Sequence, residues 1–273
     1  MLGGSGITGI AWELGVLHGL AQRGVDLALA DVVVGTSAGS VVGAQLGGDL
    51  PVDELYRRQL EPASSERAHR MGPGVLARYL VTLVLHPDRR SGRAKLGAMA
   101  RRARLDTSPD DRRKVIASRL PSTSWPDRFD LRITAVDADS GEPEVFRAAS
   151  GVELVDAVAA SCAVPLVWPT VPIGDRHYID GGMRSGSNVD LVGEVERVVV
   201  LAPIPGGSRR ADRPDRQLAA LGAGVRGLVV SPSDEARRAI GRNPLDPARR
   251  RPAAEAGLAQ SAEVAAAVAA VWD

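Results

Sequence analysis

Apolar positions recur at helical spacing along residues 10–23, with Ile10, Leu14, Leu17 and Leu20 on one face, and Gly24 stops the run. Asp31 leads into Val32-Val33-Val34, the β-branched signature of a short buried strand, which ends at Gly35. Residues 38–46 read as a helix closed by Gly47-Gly48. The stretch 31–46 therefore spells strand, sharp turn, helix. From 51 to 120 the pattern becomes helices with basic faces. They include an apolar amphipathic segment over 74–85, ended by Pro87, and further helices over 91–104 and 110–120. A strand over 131–136 faces a second over 143–147 across the turn Ser140-Gly141. Residues 152–161 form an apolar helix stopped by Pro165, and a short strand over 177–179 precedes Asp180-Gly181-Gly182. Two more strands, 198–201 and 227–230, and an alanine-rich helix over 253–271 complete the chain. No internal repeat is visible. Short buried strands among helices predict an α/β fold with a largely parallel sheet.

Composition narrows the class. The 273 residues are 44% hydrophobic and 25% charged, with a mean hydropathy of −0.05, which fits a folded chain of one large α/β domain or two small ones. No run approaches the roughly 18 apolar residues of a membrane span, and the start MLGGSGITGI has no basic leader, so a cytoplasmic protein is expected. A single cysteine, Cys162, excludes an intramolecular disulfide. The net charge of +1 conceals an asymmetry. Residues 57–119 hold 16 Lys/Arg against 6 Asp/Glu, a net of +10, so the rest of the chain carries −9. Such a segment could meet an anionic membrane surface, or it could be a solvated set of helices. Nine aromatic residues offer few stacking platforms, and no nucleic-acid motif is present, so nucleic acid is not an expected partner.

Gly35-Thr36-Ser37-Ala38-Gly39 is G-x-S-x-G. Its place between a valine strand and a helix is the setting of a nucleophile elbow, where small residues let the backbone turn tightly and expose the serine. The bland alternative is a serine that merely caps the helix. Gly4-Ser5-Gly6-Ile7-Thr8-Gly9 is G-x-G-x-x-G, which suits either a dinucleotide phosphate or an oxyanion hole of backbone N–H groups. A dinucleotide turn needs a preceding strand and an acid at the end of the following one. Here only Met1-Leu2 precede the motif, and Asp26 and Asp31 stand before the valine strand. The first strand is thus missing: either the start lies farther upstream or the sequence is truncated, or, where the strand is truly absent, an edge of the sheet is exposed.

A serine nucleophile needs a base. Of the four histidines, His18, His69, His86 and His177, only His177 is a reasonable triad member, with Asp137 or Asp156 to orient it; it lies in a polar run that reads as a hairpin turn. Asp180 ends a strand and is followed by two glycines, so its carboxylate can approach another backbone closely. Burial would raise a carboxylate from its ordinary value near 3.9 toward working pH. Both bases remain open on this reading, as does a plain Asp-Gly-Gly turn.

Taken together, GSGITG at 4–9, GTSAG at 35–39 and DGG at 180–182 resemble, in order and spacing, the patatin-like phospholipase family. Ala159 to Pro165 (AASCAVP) also looks like that family's helix end, and the similarity runs from residue 3 to about 202. The resemblance implies a three-layer α/β/α sandwich over residues 1–273, with 57–119 as a cap-like insertion and a less certain part from 205 onward. It implies Ser37 as nucleophile, Asp180 as proton acceptor, and the amides of Gly4, Ser5, Gly6 and Ile7 as oxyanion hole. Gly9, Gly35, Gly39, Gly181 and Gly182 would support the motifs. The implied reaction is lipid acyl-ester hydrolysis through an acyl-enzyme, of the phospholipase A or lysophospholipase kind, with no metal or cofactor. The substrate would be a lipid or lysophospholipid, with peripheral membrane contact through 57–119. Ser5 and Thr8 depart from the family pattern, which holds glycine and often Arg or Lys there. The competing expectations are a dinucleotide-binding module and a catalytically inactive interaction protein.

Overall fold

The computed structural model describes residues 1–62, 74, 79, 81–82, 85–86, 88–206 and 209–272. The expected apolar helix over 74–85, its stop at Pro87 and the position of His69 lie wholly or largely outside the described residues. In chain order the helices are α1 (Gly6–Ala21), α2 (Ala38–Gly47), α3 (Val52–Leu60), α4 (Arg89–Arg102), α5 (Pro109–Ala117), α6 (Leu154–Ser161), α7 (Pro214–Ala220), α8 (Asp234–Ile240) and α9 (Arg250–Trp272). The strands are β1 (Val32–Thr36), β2 (Asp130–Asp137), β3 (Pro143–Phe146), β4 (Val171–Ile173), β5 (Arg176–Asp180), β6 (Arg197–Leu201) and β7 (Arg226–Val230).

Strand alternation divides the core into two faces. Val33 of β1, with Leu131, Ile133 and Ala135 of β2 and Val199 and Leu201 of β6, packs with α1, α2, α6 and α9. Val34, Val198 and Val200 point the other way, against Val189, Val192 and Leu218 of α7. Val136 and Ile179 meet Ala100 of α4 on that second side. The result is helices on both sides of one sheet. Helix α1 is buried along most of its length because α9 crosses it. Trp12 Nε1 donates to Gln260 Oε1 at 3.0 Å, and Arg23 donates to Ser261 Oγ at 3.2 Å.

The valine-rich strands lie parallel: β1 pairs with β2 and β6 with β7. Beyond β2 the sheet turns antiparallel through β3, β5 and β4. The strands of the polar hairpin read around residue 174 are β4 and β5, joined where Gly174 takes φ +60. One expectation is corrected here. The first strand is present as a stub, and it lies inside the sheet rather than at an edge. Leu2 bridges β1 at Gly35 and β6 at Leu201, parallel to both. Its N–H donates to Val34 O at 2.9 Å, and its carbonyl accepts from Thr36 N–H at 3.0 Å. Gly3 N–H donates to Leu201 O, and Met1 O accepts from Leu201 N–H. A groove of about 320 Å³ is lined by Met1, Leu2, Val32 and Val198 among others. Among the described residues no helix is long and apolar enough to cross a membrane.

Candidate active site

Three strand ends converge on one point. Strand β1 runs straight into Ser37, which holds φ 51 and ψ −115 before α2 begins. A non-glycine residue at positive φ is strained by roughly 1–3 kcal/mol and persists only when its surroundings over-determine it. Here Ser37 N–H donates to Ser161 Oγ at 2.8 Å, and Ser37 O accepts from Ser40 Oγ at 2.6 Å and from Cys162 Sγ at 3.3 Å. The turn is possible because Gly39 passes the N-terminal stub: a Cβ there would lie 2.1 Å from Leu2 O. The serine does not cap α2, since its side chain makes no cap hydrogen bond. Instead Ser37 Oγ donates to Asp180 Oδ2 at 2.7 Å.

Asp180 closes β5, which is held against β2 in antiparallel register with Ala135 opposite. The residue is 2% exposed. Its other oxygen accepts from Gly182 N–H at 2.7 Å. Burial pushes its pKa up to about 6, against the lowering pull of Ser37, Gly182 and the Arg112 guanidinium. Below it runs a buried polar network: Asn188 Nδ2 donates to Thr36 Oγ1 at 3.0 Å and to Ser185 O at 2.8 Å, and Thr36 Oγ1 pairs with Thr134 Oγ1 at 2.9 Å.

The glycine-rich loop lies against the serine, and a Cβ on Gly4 would come 3.1 Å from Ser37 Cβ. Its N–H groups divide by use. Gly3 donates to Glu13 Oε1 at 2.9 Å, where burial holds that carboxyl well above its ordinary value. Gly4, expected in the oxyanion set, donates to Gly186 O at 2.8 Å, which takes it out of that role. Ser5, Gly6 and Ile7 form the start of α1 and line the same cavity as Ser37 and Asp180. The first N–H groups of a helix have no acceptor within the helix, and its dipole favours negative charge beside them. The cavity is about 650 Å³, with an apolar lining that includes Ile7, Ile10, Val41, Val164, Met183 and Leu245.

His177 is not part of this arrangement. It sits three residues before Asp180 on the opposite face of β5 and does not line the cavity. Its would-be partners are engaged elsewhere: Asp137 Oδ1 accepts from Ser140 N–H and Ser140 Oγ, and Asp156 pairs with Arg113. His18 stacks on Tyr56 and does not line the cavity. Four contributors escaped sequence reading: Ser161 and Cys162 behind the elbow, Asn188 beneath it, and Arg112 beside Asp180. The stretch 159–165 is conspicuous in the sequence, but nothing in it announces that Ser161 holds the Ser37 amide. Arg112 was hidden in a basic run that looks solvated.

The model of the family described as Patatin-like phospholipase matches residues 1–192. No curated protein sequence matches the chain. Among solved structures, VipD from Legionella pneumophila aligns with TM-score 0.51 at 11% identity, covering 97% of this chain and 66% of that one. The type III effector protein ExoU aligns with TM-score 0.41 at 15% identity, covering 98% and 52%. The chain thus spans less than two thirds of VipD and about half of ExoU. At 11% identity the likeness to VipD is one of fold.

Proposed function

The chain belongs to the patatin-like phospholipase family, and from that premise we propose that it hydrolyses lipid acyl esters with Ser37 as nucleophile and Asp180 as its base. The observation that carries this reading is the 2.7 Å hydrogen bond from Ser37 Oγ to a buried carboxylate inside an apolar cavity. Ser37 Oγ attacks the ester carbonyl carbon while Asp180 Oδ2 takes the hydroxyl proton. The carbonyl electrons move onto oxygen, where the N–H groups of Ser5, Gly6 and Ile7 stabilise the developing charge. Collapse of this intermediate breaks the bond to the alcohol, which leaves with the proton from Asp180. Water then attacks the acyl-serine, again giving its proton to Asp180, and the fatty acid departs as Ser37 regains its hydrogen. The proposed acyl pocket is the apolar lining around Met183, Val164 and Leu245.

Labelling with a fluorophosphonate probe tests the reading directly. The expected result is one modified peptide containing Ser37, with no labelling of the Ser37→Ala variant. A folded protein that resists the probe, or labelling at another serine, overturns it.

A further inference from the structure

Helix α1 carries one acid, Glu13, and buries it completely: it is 0% exposed, as are its neighbours Trp12 and Leu14. A carboxyl taken out of water costs stability unless its oxygens are paired. Only one of them is. Oε1 accepts the Gly3 N–H at 2.9 Å, whereas Oε2 has no hydrogen-bond partner among the described residues. Burial holds Glu13 well above its ordinary pKa and pushes the Met1 ammonium, whose field acts on it, down to about 6, so both favour their uncharged forms. Gly3 does not depend on the carboxyl for an acceptor, because its N–H also reaches Leu201 O at 3.0 Å. By packing alone, a methionine would suit this position better than a glutamate.

The carboxyl holds a loop that has little else to hold it. Gly3 and Gly4 carry no side chains, and glycine has the widest backbone freedom of any residue. Their other ties join backbone to backbone: Gly3 O accepts from Gly39 N–H at 3.0 Å, and Gly4 N–H donates to Gly186 O at 2.8 Å. Gly39 lies in the first turn of α2, just after Ser37. Gly3 is therefore pinned between that turn and Glu13. Side chains on a helix lean toward its N-terminus, which lets Glu13 reach back past the start of α1.

We propose that Glu13 is a positioning residue: by fixing Gly3 it sets the aim of the Ser5, Gly6 and Ile7 N–H groups at the ester oxygen. The proposal rests on the hydrolase reading above and names what keeps its oxyanion hole in place. The uncharged acid is the form that serves. An ionised Glu13 would set a negative charge behind a loop that has to stabilise one, whereas the neutral carboxyl keeps the hydrogen bond without that repulsion. The hold matters most when charge develops on the oxygen, so its loss appears in kcat rather than in KM.

Glu13→Met and Glu13→Gln, assayed on a short-chain nitrophenyl ester, separate the possible roles. Glu13→Met removes an unpaired buried oxygen and orphans no donor, so its melting temperature should equal or exceed that of wild type. Its kcat should nonetheless fall about ten- to a hundredfold, with KM within about twofold, as slightly misplaced donors would give. Glu13→Gln keeps an oxygen acceptor without a charge and should retain most of the wild-type kcat. Butylboronic acid, which forms a tetrahedral adduct on a serine, should lose affinity for Glu13→Met in proportion to kcat. A non-hydrolysable ether analogue of the ester should bind all three proteins alike. Wild-type kcat and boronate affinity in Glu13→Met overturn the proposal. So does a Glu13→Met chain that melts well below wild type or does not fold, because the residue is then structural. A Glu13→Gln protein as slow as Glu13→Met overturns it too, since charge rather than the acceptor would then matter. Failure of the hydrolase reading looks different: the wild type itself would neither turn over the ester nor bind the boronic acid. Amide exchange at Gly3 would still report the hold, faster in Glu13→Met than in Glu13→Gln, and equal rates would overturn it.

Discussion

Asp180 accepts hydrogen bonds from Ser37 Oγ and Gly182 N–H while almost wholly removed from water. Burial outweighs those bonds and lifts its pKa from 3.8 to about 6, which makes a carboxylate a serviceable base without an imidazole. Activity on a neutral ester should therefore rise with pH as a single ionisation with a midpoint near 6. Asp180→Asn should lower kcat by about 10²–10⁴-fold, the usual contribution of a general base. The same shift affects stability. A folded-state pKa above the unfolded one stabilises fully below pH 3.8, and that stabilisation is lost as pH rises through about 6. At 1.36 kcal/mol per unit the loss is on the order of 3 kcal/mol. Asp180→Asn cannot ionise there, so its melting temperature relative to wild type should climb between pH 4 and 8. Parallel melting curves for the two proteins across that range would refute both the raised pKa and the catalytic assignment built on it.

At the scale of elements, Ser37 is held from behind by α6. Ser161 Oγ, at the end of that helix, accepts the Ser37 N–H. Ser161→Ala leaves a buried amide without its acceptor, a cost of about 1–3 kcal/mol, and frees the elbow to relax from its strained φ. Thermal unfolding should report that loss, and kcat should fall further than in His177→Ala, which is expected to keep wild-type activity. Loss of activity on removing His177 would instead point to a triad. The elements around this site were largely legible in the sequence, because each follows from a local signal. Three valines ending at a glycine gave β1, alternation across Ser140-Gly141 gave the β2–β3 hairpin, and helical periodicity gave α1 and α2. The unread parts depend on distant partners. Leu2 is a strand only because β1 and β6 flank it, and β4 is three residues with Pro172 at its centre. Gly4 could be told from Ser5, Gly6 and Ile7 only once Gly186 O was seen to take its N–H. Ser161 shows the same limit, since its partner lies 124 residues away along the chain.

Across the whole molecule, the charge asymmetry acquires an internal use. Arginines of the +10 segment reach across to carboxylates of the acidic remainder: Arg89 to Asp212, Arg90 to Glu142, Arg101 to Asp139, and Arg113 to Asp156 and Glu153. Most of these pairs are solvent-exposed, so each adds little to stability, about 0–1 kcal/mol. Their larger effect is on the field presented outward, because a paired arginine offers little to an anionic surface. A basic residue near such a surface contributes about 1 kcal/mol to attachment, so inward pairing of four arginines forfeits roughly 4 kcal/mol. The acids at the β2–β3 turn and beyond thus draw arginines of this segment inward. Asp139→Asn and Glu142→Gln would free Arg101 and Arg90 without touching Ser37 or Asp180. Co-sedimentation with vesicles rich in anionic lipid should rise about fivefold for each arginine freed, and the gain should fade as salt shortens the Debye length. Neutral vesicles should show no such change. Equal binding of wild type and the double variant to anionic vesicles at low salt would mean that the arginines of this segment do not face a membrane, paired or not.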